Sequence, residues 1–250
     1  MSQVPAATRT LRILRFLASQ PGPVPAGRIA QAVGMPRSSV YHLLNAMSAE
    51  GFVVHVGDER GYGLGLAAFE VGTGFARQEP LQRVARRPLA ELSHQIRQTA
   101  HLAVMHGRDV LYVIEQRYPG RRTLVTDVGV RLPAHLTASG RAILAGLPKS
   151  QLRALFPDSA SFVDRTGTGP RSLSALHAIL TEARRQGYAV EDGEVGPDLT
   201  SVAVAVHDHN RRPIAAVAVT YTDEAGEIDQ ARLAARVAAT AAELTRRIGG

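Results

Sequence analysis

Between residues 34 and 47 the chain alternates apolar and polar positions with the period of a helix. Apolar residues recur at intervals of three and four, which places on one side Val40, Leu43, Leu44 and Met47. The opposite side carries hydrogen-bonding groups and one fixed cation, from Arg37, Ser38, Tyr41, His42 and Asn45, with Ser39 at its edge. Such groups contact base edges and phosphates, although a solvated surface helix can show the same pattern. The segment predicts a recognition helix if its neighbours complete a DNA-binding motif.

The preceding residues predict two further helices. Residues 8–19 place on one buried stripe Leu11, Leu14, Leu17 and Ala18, with arginines on a solvated side. Residues 20–25 contain three prolines and one glycine, which predicts a loop. Residues 25–33 predict a short helix, Gly34 supplies a tight turn, and we assign Pro36 to the first position of the recognition helix. This succession of helices is that of a helix-turn-helix.

A two-stranded wing is predicted immediately after these helices. Gly51 ends the recognition helix, residues 52–56 are β-branched and aromatic, and residues 62–64 return as a second strand. The turn between the strands carries Arg60, which is positioned to enter a minor groove or to contact phosphate. A solvated turn arginine is the alternative for Arg60. The glycines at 61, 63 and 65 lack the strand-turn-helix context of a nucleotide loop, so we assign them to the wing.

The remaining residues predict a linker helix and a second domain. Residues 66–78 are weakly helical and end before Glu79-Pro80, so we divide the chain into residues 1–65 (winged helix-turn-helix), 66–79 (linker helix) and 80–250. The second domain predicts helices at 81–97, 138–147, 150–155, 173–186 and 228–248, and strands at 101–105, 110–116, 124–126, 201–206 and 214–221. The order predicts an α+β fold in which an antiparallel sheet is flanked by helices.

Composition narrows the function classes. The formal net charge is +7, and residues 1–66 contribute six arginines against three acidic residues, which suits a polyanionic partner. The chain contains no cysteine, which excludes disulfides, a thiol nucleophile and thiolate metal ligands. No apolar run approaches the roughly 18 residues of a membrane span, and the N-terminus lacks a secretory pattern, so we expect a cytoplasmic protein without membrane contact.

The sequence gives only weak support for a metal site or a catalytic site. The nine histidines include the pair His207 and His209, but these lie in a predicted loop, and His101 and His106 would point to opposite faces of a strand. We find no GxSxG and no local nucleophile, base and acid set. The acidic run at 191–194 could serve acid/base chemistry, but we expect a loop that caps a pocket or is solvated. We therefore expect no cofactor, no metal and no enzymatic activity.

Four segments together resemble the IclR-type bacterial transcriptional regulators. These are GMPRSSVYHLLNAM at 34–47, GYGLGLAAFEVG at 61–72, PAHLTASGRAILA at 133–145 and RRQGYAVEDGEVGPDLTSVAVAVHD at 184–208. They occur in the family's order and extend over essentially the whole chain. The resemblance implies a winged helix-turn-helix, a linker helix and a GAF-like effector domain. It also implies a dimer or tetramer whose DNA binding is controlled by a small metabolite.

The resemblance further implies an effector pocket on one side of the sheet. Its wall would comprise Leu124, Ala138, Ser139, Gly140, Glu191, Leu199, Ser201, Ala218 and Thr220. The backbone N–H groups at 138–140 open a helix, where a carboxylate can dock, and the leucines would contact an apolar body. Taken without the resemblance, Ser139 is a helix-start residue and the two leucines are core.

The chain departs from the family's pattern at several of these positions. His42 stands where the family usually has arginine, so we expect one DNA contact to be weaker or to depend on pH. In the second domain, Arg141 replaces a lysine, Ser201 a frequent cysteine, Ala218 a frequent serine and Asp198 a common glycine, while Glu191 occupies a position often held by aspartate. Because three of these changes face the expected ligand, the effector of a relative is not transferred to this chain.

These patterns together predict a ligand-responsive transcription factor, more specifically a repressor. Its partners would be double-stranded DNA with a pseudo-palindromic operator, a second copy of itself and a small organic acid, aromatic acid or amino-acid-related metabolite. The rival is a metabolite-binding or enzymatic GAF-like module with a winged helix that does not regulate, since a fold does not determine a function.

Overall fold

The computed structural model describes residues 4–57, 61–78, 80–121, 124, 126–222 and 228–249. The chain divides into two compact units, Met1–Glu79 and Pro80–Gly250. The first unit is a winged helix-turn-helix, and the second is an antiparallel sheet flanked by helices, so the predicted fold class is confirmed. Within the described residues, no helix is long and apolar enough to cross a membrane.

The first unit contains four helices and a hairpin in its described part. They are α1 (Pro5–Ala18), α2 (Ala26–Val33), α3 (Arg37–Ala49), β1 (Val53–Val56), β2 (Gly61–Leu64) and α4 (Leu66–Gln78). Strands β1 and β2 pair antiparallel, as expected for a wing. Gly34 (φ +65°) and Gly51 (φ +71°) adopt the left-handed conformation that ends α2 and α3. Pro36 precedes the first turn of α3 as its N-cap and does not occupy the first helical position.

The core of the first unit corrects the predicted face of α1. Ile13 and Leu17 are buried, whereas Leu11 is 59% exposed and Ala18 is exposed. Helix α1 has apolar residues on two sides, so periodicity alone does not identify the side that meets α2 and α3. The buried side of α3 is as predicted, because Val40, Leu44 and Met47 are buried and Leu43 is partly buried.

The second unit is built on one sheet of six strands. Its elements are α5 (Pro80–Ile96), β3 (Thr99–His106), β4 (Asp109–Gln116), β5 (Arg131–Pro133), α6 (Ala138–Ala145), α7 (Lys149–Leu155), a short 3-10 helix (Ser159–Ser161), α8 (Leu173–Gln186), β6 (Ala189–Asp192), β7 (Leu199–His207), β8 (Pro213–Thr222) and α9 (Gln230–Gly249). The strand order is β5-β4-β3-β8-β7-β6, and all neighbours are antiparallel. The predicted strand at 124–126 is wrong, because Leu124 and Thr126 lie outside any strand and β5 pairs with β4 instead.

Separate hydrophobic cores cover the two faces of this sheet. On one face, valines and leucines of β3, β7 and β8 pack against α5 and α9. On the other, which we call the inner face, small side chains pack against α6 and α8, namely Ala103, Ala189, Ala203, Ala216 and Ala218. Alanines let α6 approach the strands closely, and Met105, Val110 and Leu132 of β3, β4 and β5 belong to the same core.

Candidate functional site

The exposed side of α3 carries the polar residues that the sequence assigns to DNA. Arg37, Ser38, Tyr41, His42 and Asn45 are exposed, and Ser39 at the edge of that side is half-buried. Tyr41 keeps 48% of its surface exposed, which is unusual for an aromatic residue next to a core. Arg60, the predicted wing contact, lies outside the described residues.

An open groove of about 470 Å³ extends this polar surface toward α2 and the wing. Its described walls include Arg28 of α2, Arg37 and Tyr41 of α3, and His55 and Tyr62 of the wing. The His55 and Tyr62 rings meet edge-on across the hairpin, with centroids 4.7 Å apart. Sequence reasoning missed Arg28, His55 and Tyr62, although alternation along the hairpin could have placed both rings on one face.

Helix α2 and Arg37 meet at a position that only glycine fills without displacement. A β-carbon on Gly27 would lie 2.7 Å from Nη2 of Arg37, so the guanidinium rests against the first turn of α2. The lining of the groove includes two arginines and no aspartate or glutamate among its described residues. The groove therefore offers fixed cations, aromatic rings and a helix start to a polyanion such as a DNA strand.

The inner face of the sheet in the second unit carries a row of buried polar side chains. Glu191 of β6 pairs with Ser201 of β7, Ser201 with Thr220 of β8, and Thr220 with Thr99 of β3. The Ser201 and Thr220 hydroxyl oxygens are 3.0 Å apart. Three of these four residues were expected at the effector site, and Thr99 was missed because its neighbours in sequence gave no pocket signal.

Glu191 has an unusual environment for a carboxyl group. It is 1% exposed, and its Oε1 accepts a hydrogen bond from the Val195 N–H at 2.9 Å. Burial raises the pKa of Glu191 to about 7, against the opposing effect of the Val195 hydrogen bond. The predicted solvated or capping loop is wrong for Glu191 and Asp192, which form the end of β6.

The start of α6 lies against the same face. Thr137 caps the helix by accepting the Gly140 N–H on its Oγ1 at 2.9 Å. The N–H groups of Ala138 and Ser139 have no acceptor within the described residues. The Ser139 hydroxyl is buried beside that of Tyr112, and this contact opposes the burial that raises the pKa of Tyr112. A β-carbon on Gly140 would overlap the Ala134 carbonyl, so glycine is required for this close approach.

The three apolar residues expected in the pocket wall are all buried. Leu124 is 8% exposed, Leu199 is 6% exposed and Ala218 is 2% exposed. Ala218 lies in the row next to the polar one, opposite Ala203 and His101. Their burial agrees with a pocket wall and equally with a core position.

Arg141 connects α6 to the segment that follows β6. It is 3% exposed and donates to the His135 carbonyl at 2.9 Å, to the Val190 carbonyl at 2.7 Å and to Glu194 Oε1 at 2.7 Å. Glu194 also accepts the Asp192 N–H through Oε2 at 2.6 Å. Each of the three guanidinium nitrogens of Arg141 therefore donates to the protein, and the side chain is buried.

Two further buried groups on the inner face were not predicted. His101 is 0% exposed, and its Nε2 lies 2.8 Å from Thr126 Oγ1 and 3.7 Å from Glu115 Oε2. The His101 ring and Arg117 hold the pKa of Glu115 below its ordinary value. Burial raises the pKa of Tyr112, whose ring meets that of His101 edge-on at 5.4 Å.

Groups of three or more His, Asp or Glu side chains that could hold an ion are absent among the described residues. His209 instead contacts the Asn210 amide at 2.9 Å, and Asp208 accepts the N–H groups of Asn210 and Arg212. This loop is an ordinary hairpin connection between β7 and β8.

Comparison with known proteins finds relatives for both units. The family described as bacterial transcriptional regulator IclR C-terminal matches residues 74–246, and the IclR helix-turn-helix domain matches residues 6–57. The acetate operon repressor of Salmonella typhimurium is 29% identical over 257 residues, which cover 99% of this chain and 91% of that protein.

Solved structures share the fold. An IclR transcriptional regulator from Alicyclobacillus acidocaldarius has a TM-score of 0.88 at 23% identity and covers 99% of this chain and 100% of its own. An IclR homologue from Microbacterium hydrocarbonoxydans, complexed with 4-hydroxybenzoate, has a TM-score of 0.82 at 19% identity, covering 97% and 98%. With a helix-turn-helix in the first unit and the family's C-terminal domain in the second, the chain belongs to the IclR family of bacterial transcriptional regulators.

Proposed function

We propose that this regulator is a repressor whose operator binding is changed by a small organic effector held on the inner face of the sheet. The observation that carries the proposal is the buried polar row Glu191, Ser201 and Thr220, beside the start of α6, where two backbone N–H groups have no acceptor among the described residues. Buried polar groups without partners are costly, and a ligand that satisfies them gains specificity.

The DNA part of the proposal rests on the exposed side of α3 and the groove beside it. Arg37, Tyr41, His42 and Asn45 are the candidates for base contact, and Arg28 with the wing rings is suited to the backbone. An operator with two half-sites, about 34 Å or a multiple of that apart, requires two such units and hence a dimer or a tetramer. Exposed apolar side chains of α4, Leu66 (70% exposed) and Val71 (61% exposed), are suited to contact with a second copy.

The effector class follows from the groups on the inner face. The effector contacts would include two N–H groups at the start of α6 that have no acceptor among the described residues, together with the hydroxyls of Ser201 and Thr220. These donors suit a ligand rich in acceptors, and Leu124 and Leu199 suit an apolar body. The 4-hydroxybenzoate complex of the Microbacterium homologue supports a small aromatic acid as one member of this class. Neither the acetate operon repressor nor that homologue determines the effector of this chain, because Glu191, Ser201 and Ala218 depart from the family's usual residues.

Thermal unfolding of the full chain against a panel of small acids and amino-acid-related metabolites tests the proposal. A ligand at 100 times its Kd should stabilise the folded state by about 2.7 kcal/mol, and an active compound should then change the affinity for operator DNA. Stabilising ligands that leave DNA binding unaltered would refute ligand control. Release of DNA by the ligand supports a repressor, whereas tighter binding at the promoter would contradict that sign.

The rival proposal of an enzymatic module is addressed by the same compounds. We propose that the protein binds its effector without converting it, because the curated relatives are transcriptional regulators. Each compound that stabilises the protein should be recovered unchanged after prolonged incubation with stoichiometric protein. Time-dependent appearance of a product would favour the enzyme.

A further inference from the structure

A cavity of about 140 Å³ opens where β3 begins and β8 ends, at one end of the sheet. The side chains that line it include Gln98, Thr99, Arg121, Leu124, Thr220 and Thr222. Only Leu124 and Thr220 among them belong to the effector wall implied by the family resemblance. The cavity is therefore a partly distinct region with a composition of its own.

Arg121 gives this cavity a positive charge, and hydrogen bonds hold its guanidinium group in place. Its Nε donates to the Arg97 carbonyl at 3.0 Å, and its backbone N–H donates to the Tyr118 carbonyl at 3.1 Å. Arg97 adopts a left-handed conformation (φ +56°) directly after α5, which brings that carbonyl to the guanidinium. The two terminal nitrogens of Arg121 have no acceptor within the described residues, and the described lining contains no aspartate or glutamate.

Neutral hydrogen-bonding groups surround this cation. Gln98 is 6% exposed, Thr99 is 2% exposed and Thr220 is 4% exposed, so each is buried beside the cavity. Leu124 supplies an apolar wall. The volume is close to that of an engineered cavity of about 150 Å³ that binds benzene, so a single ring or a short aliphatic chain has the right size.

The other polar groups of the inner face are poorer partners for an anion. Each guanidinium nitrogen of Arg141 already donates to an acceptor within the protein. Glu191 would repel a second carboxylate whenever it is ionised. The N–H groups at the start of α6 carry only the partial charge of a helix end, so they attract an anion less strongly than a guanidinium does. A guanidinium whose Nε is already anchored presents its paired terminal nitrogens to a planar carboxylate, an arrangement that favours charge-assisted hydrogen bonds.

We propose that this cavity binds the carboxylate of a small organic acid and that Arg121 is the residue that selects for its negative charge. The identification of that acid as the effector rests on the proposed function, whereas its binding does not. Occupation of the cavity would reach the Thr220 hydroxyl, which lies 3.0 Å from that of Ser201. The ligand thereby contacts the polar row that runs across the sheet to Glu191.

Isothermal titration calorimetry on the full chain without DNA tests this assignment with pairs of probes that differ in charge but not in shape. The pairs are 4-hydroxybenzoate with 4-hydroxybenzamide, and butyrate with butyramide, and inorganic phosphate is a further probe. We expect at least one carboxylate to bind about ten- to a hundredfold more tightly than its amide, because charge-assisted hydrogen bonds are stronger than neutral ones. Arg121→Gln should remove that preference and leave the affinity for the amide unchanged.

Arg153→Gln is the matched control, because Arg153 is an exposed arginine of α7 in the same unit. Arg121→Lys, which keeps the charge but loses the planar fork, should give an intermediate affinity and serves as a second variant if Arg121→Gln does not fold. Carboxylates that bind Arg121→Gln as tightly as the original chain would overturn the assignment. So would phosphate binding without carboxylate binding, or no carboxylate binding at millimolar concentrations.

The experiments distinguish failure of ligand-controlled DNA binding from failure of the Arg121 carboxylate site. If carboxylates bind through Arg121 but operator affinity does not respond, ligand control of DNA binding fails and the site stands. If an acid changes operator affinity equally in the original chain and in Arg121→Gln, regulation stands and the Arg121 site fails.

Discussion

Replacing Glu191 by glutamine should remove much of the pH dependence of the unfolding free energy above pH 5. Burial raises the pKa of this carboxyl from 4.5 to about 7 in the folded state. The folded state therefore holds a proton that the unfolded chain releases. The stabilisation is complete below the unfolded pKa of 4.5 and is lost as the pH rises through about 7.

The size of the effect follows from the difference between the two pKa values. Each pK unit corresponds to about 1.4 kcal/mol, so the full loss is about 3 kcal/mol, most of it between about pH 5 and pH 8. Glutamine keeps an acceptor for the Val195 N–H and carries no charge, so the variant should gain stability relative to the original chain as the pH rises.

Urea unfolding of the two proteins at a series of pH values measures this difference directly. Comparison of the two curves isolates Glu191, because His135, whose pKa is lowered by burial, contributes equally to both. Glu182→Gln is the matched control, since Glu182 is exposed and Arg185 lowers its pKa out of this pH range. Parallel curves for the original chain and Glu191→Gln would show that the carboxyl is not desolvated, and the reasoning would fail.

Three further substitutions have expected outcomes. Gly140→Ala should lower the unfolding free energy by about 1–3 kcal/mol or more, because its β-carbon overlaps the Ala134 carbonyl, and an unchanged melting temperature would contradict the close approach. Arg141→Gln should lower the unfolding free energy by about 3–5 kcal/mol, because it leaves the buried Glu194 without its cation. Replacing both residues by apolar ones should lower it less. If urea unfolding shows equal losses for the two variants, the pair is not buried in the sense assumed here. Arg37→Ala should weaken operator binding by about 1–3 kcal/mol in a gel-shift titration, and unchanged affinity on every sequence would remove Arg37 from the interface.

The first unit could be predicted well because its signals are local. The period of α3, the left-handed glycines Gly34 and Gly51, and the paired strands of the wing are all encoded within a few residues of one another. The wrong assignment of Leu11 arose where apolar residues occupy two sides of α1 and only tertiary packing selects between them.

The second unit was harder because its decisive contacts are distant in sequence. Glu191 and Asp192 are poor strand formers, and β6 exists because β7 supplies its pairing partner. Leu124 lies in a β-branched stretch that has strand composition but no strand at Leu124 or Thr126, where no partner strand meets it. Most of the candidate effector residues came from the family resemblance, and their part in binding stays a prediction, while Arg121 and Thr99 became visible only through the cavity they share.

The alanines of the inner face have a consequence for how ligand preference changes between relatives. Alanine has the smallest side chain after glycine, so Ala218 and Ala203 fill the space between the sheet and α6 with single methyl groups. Exchange of one such alanine for valine adds two methyl groups to that space without altering any hydrogen bond of the strands. For an effector held on the inner face as proposed, the space available to the ligand would therefore change independently of the polar row and of the fold.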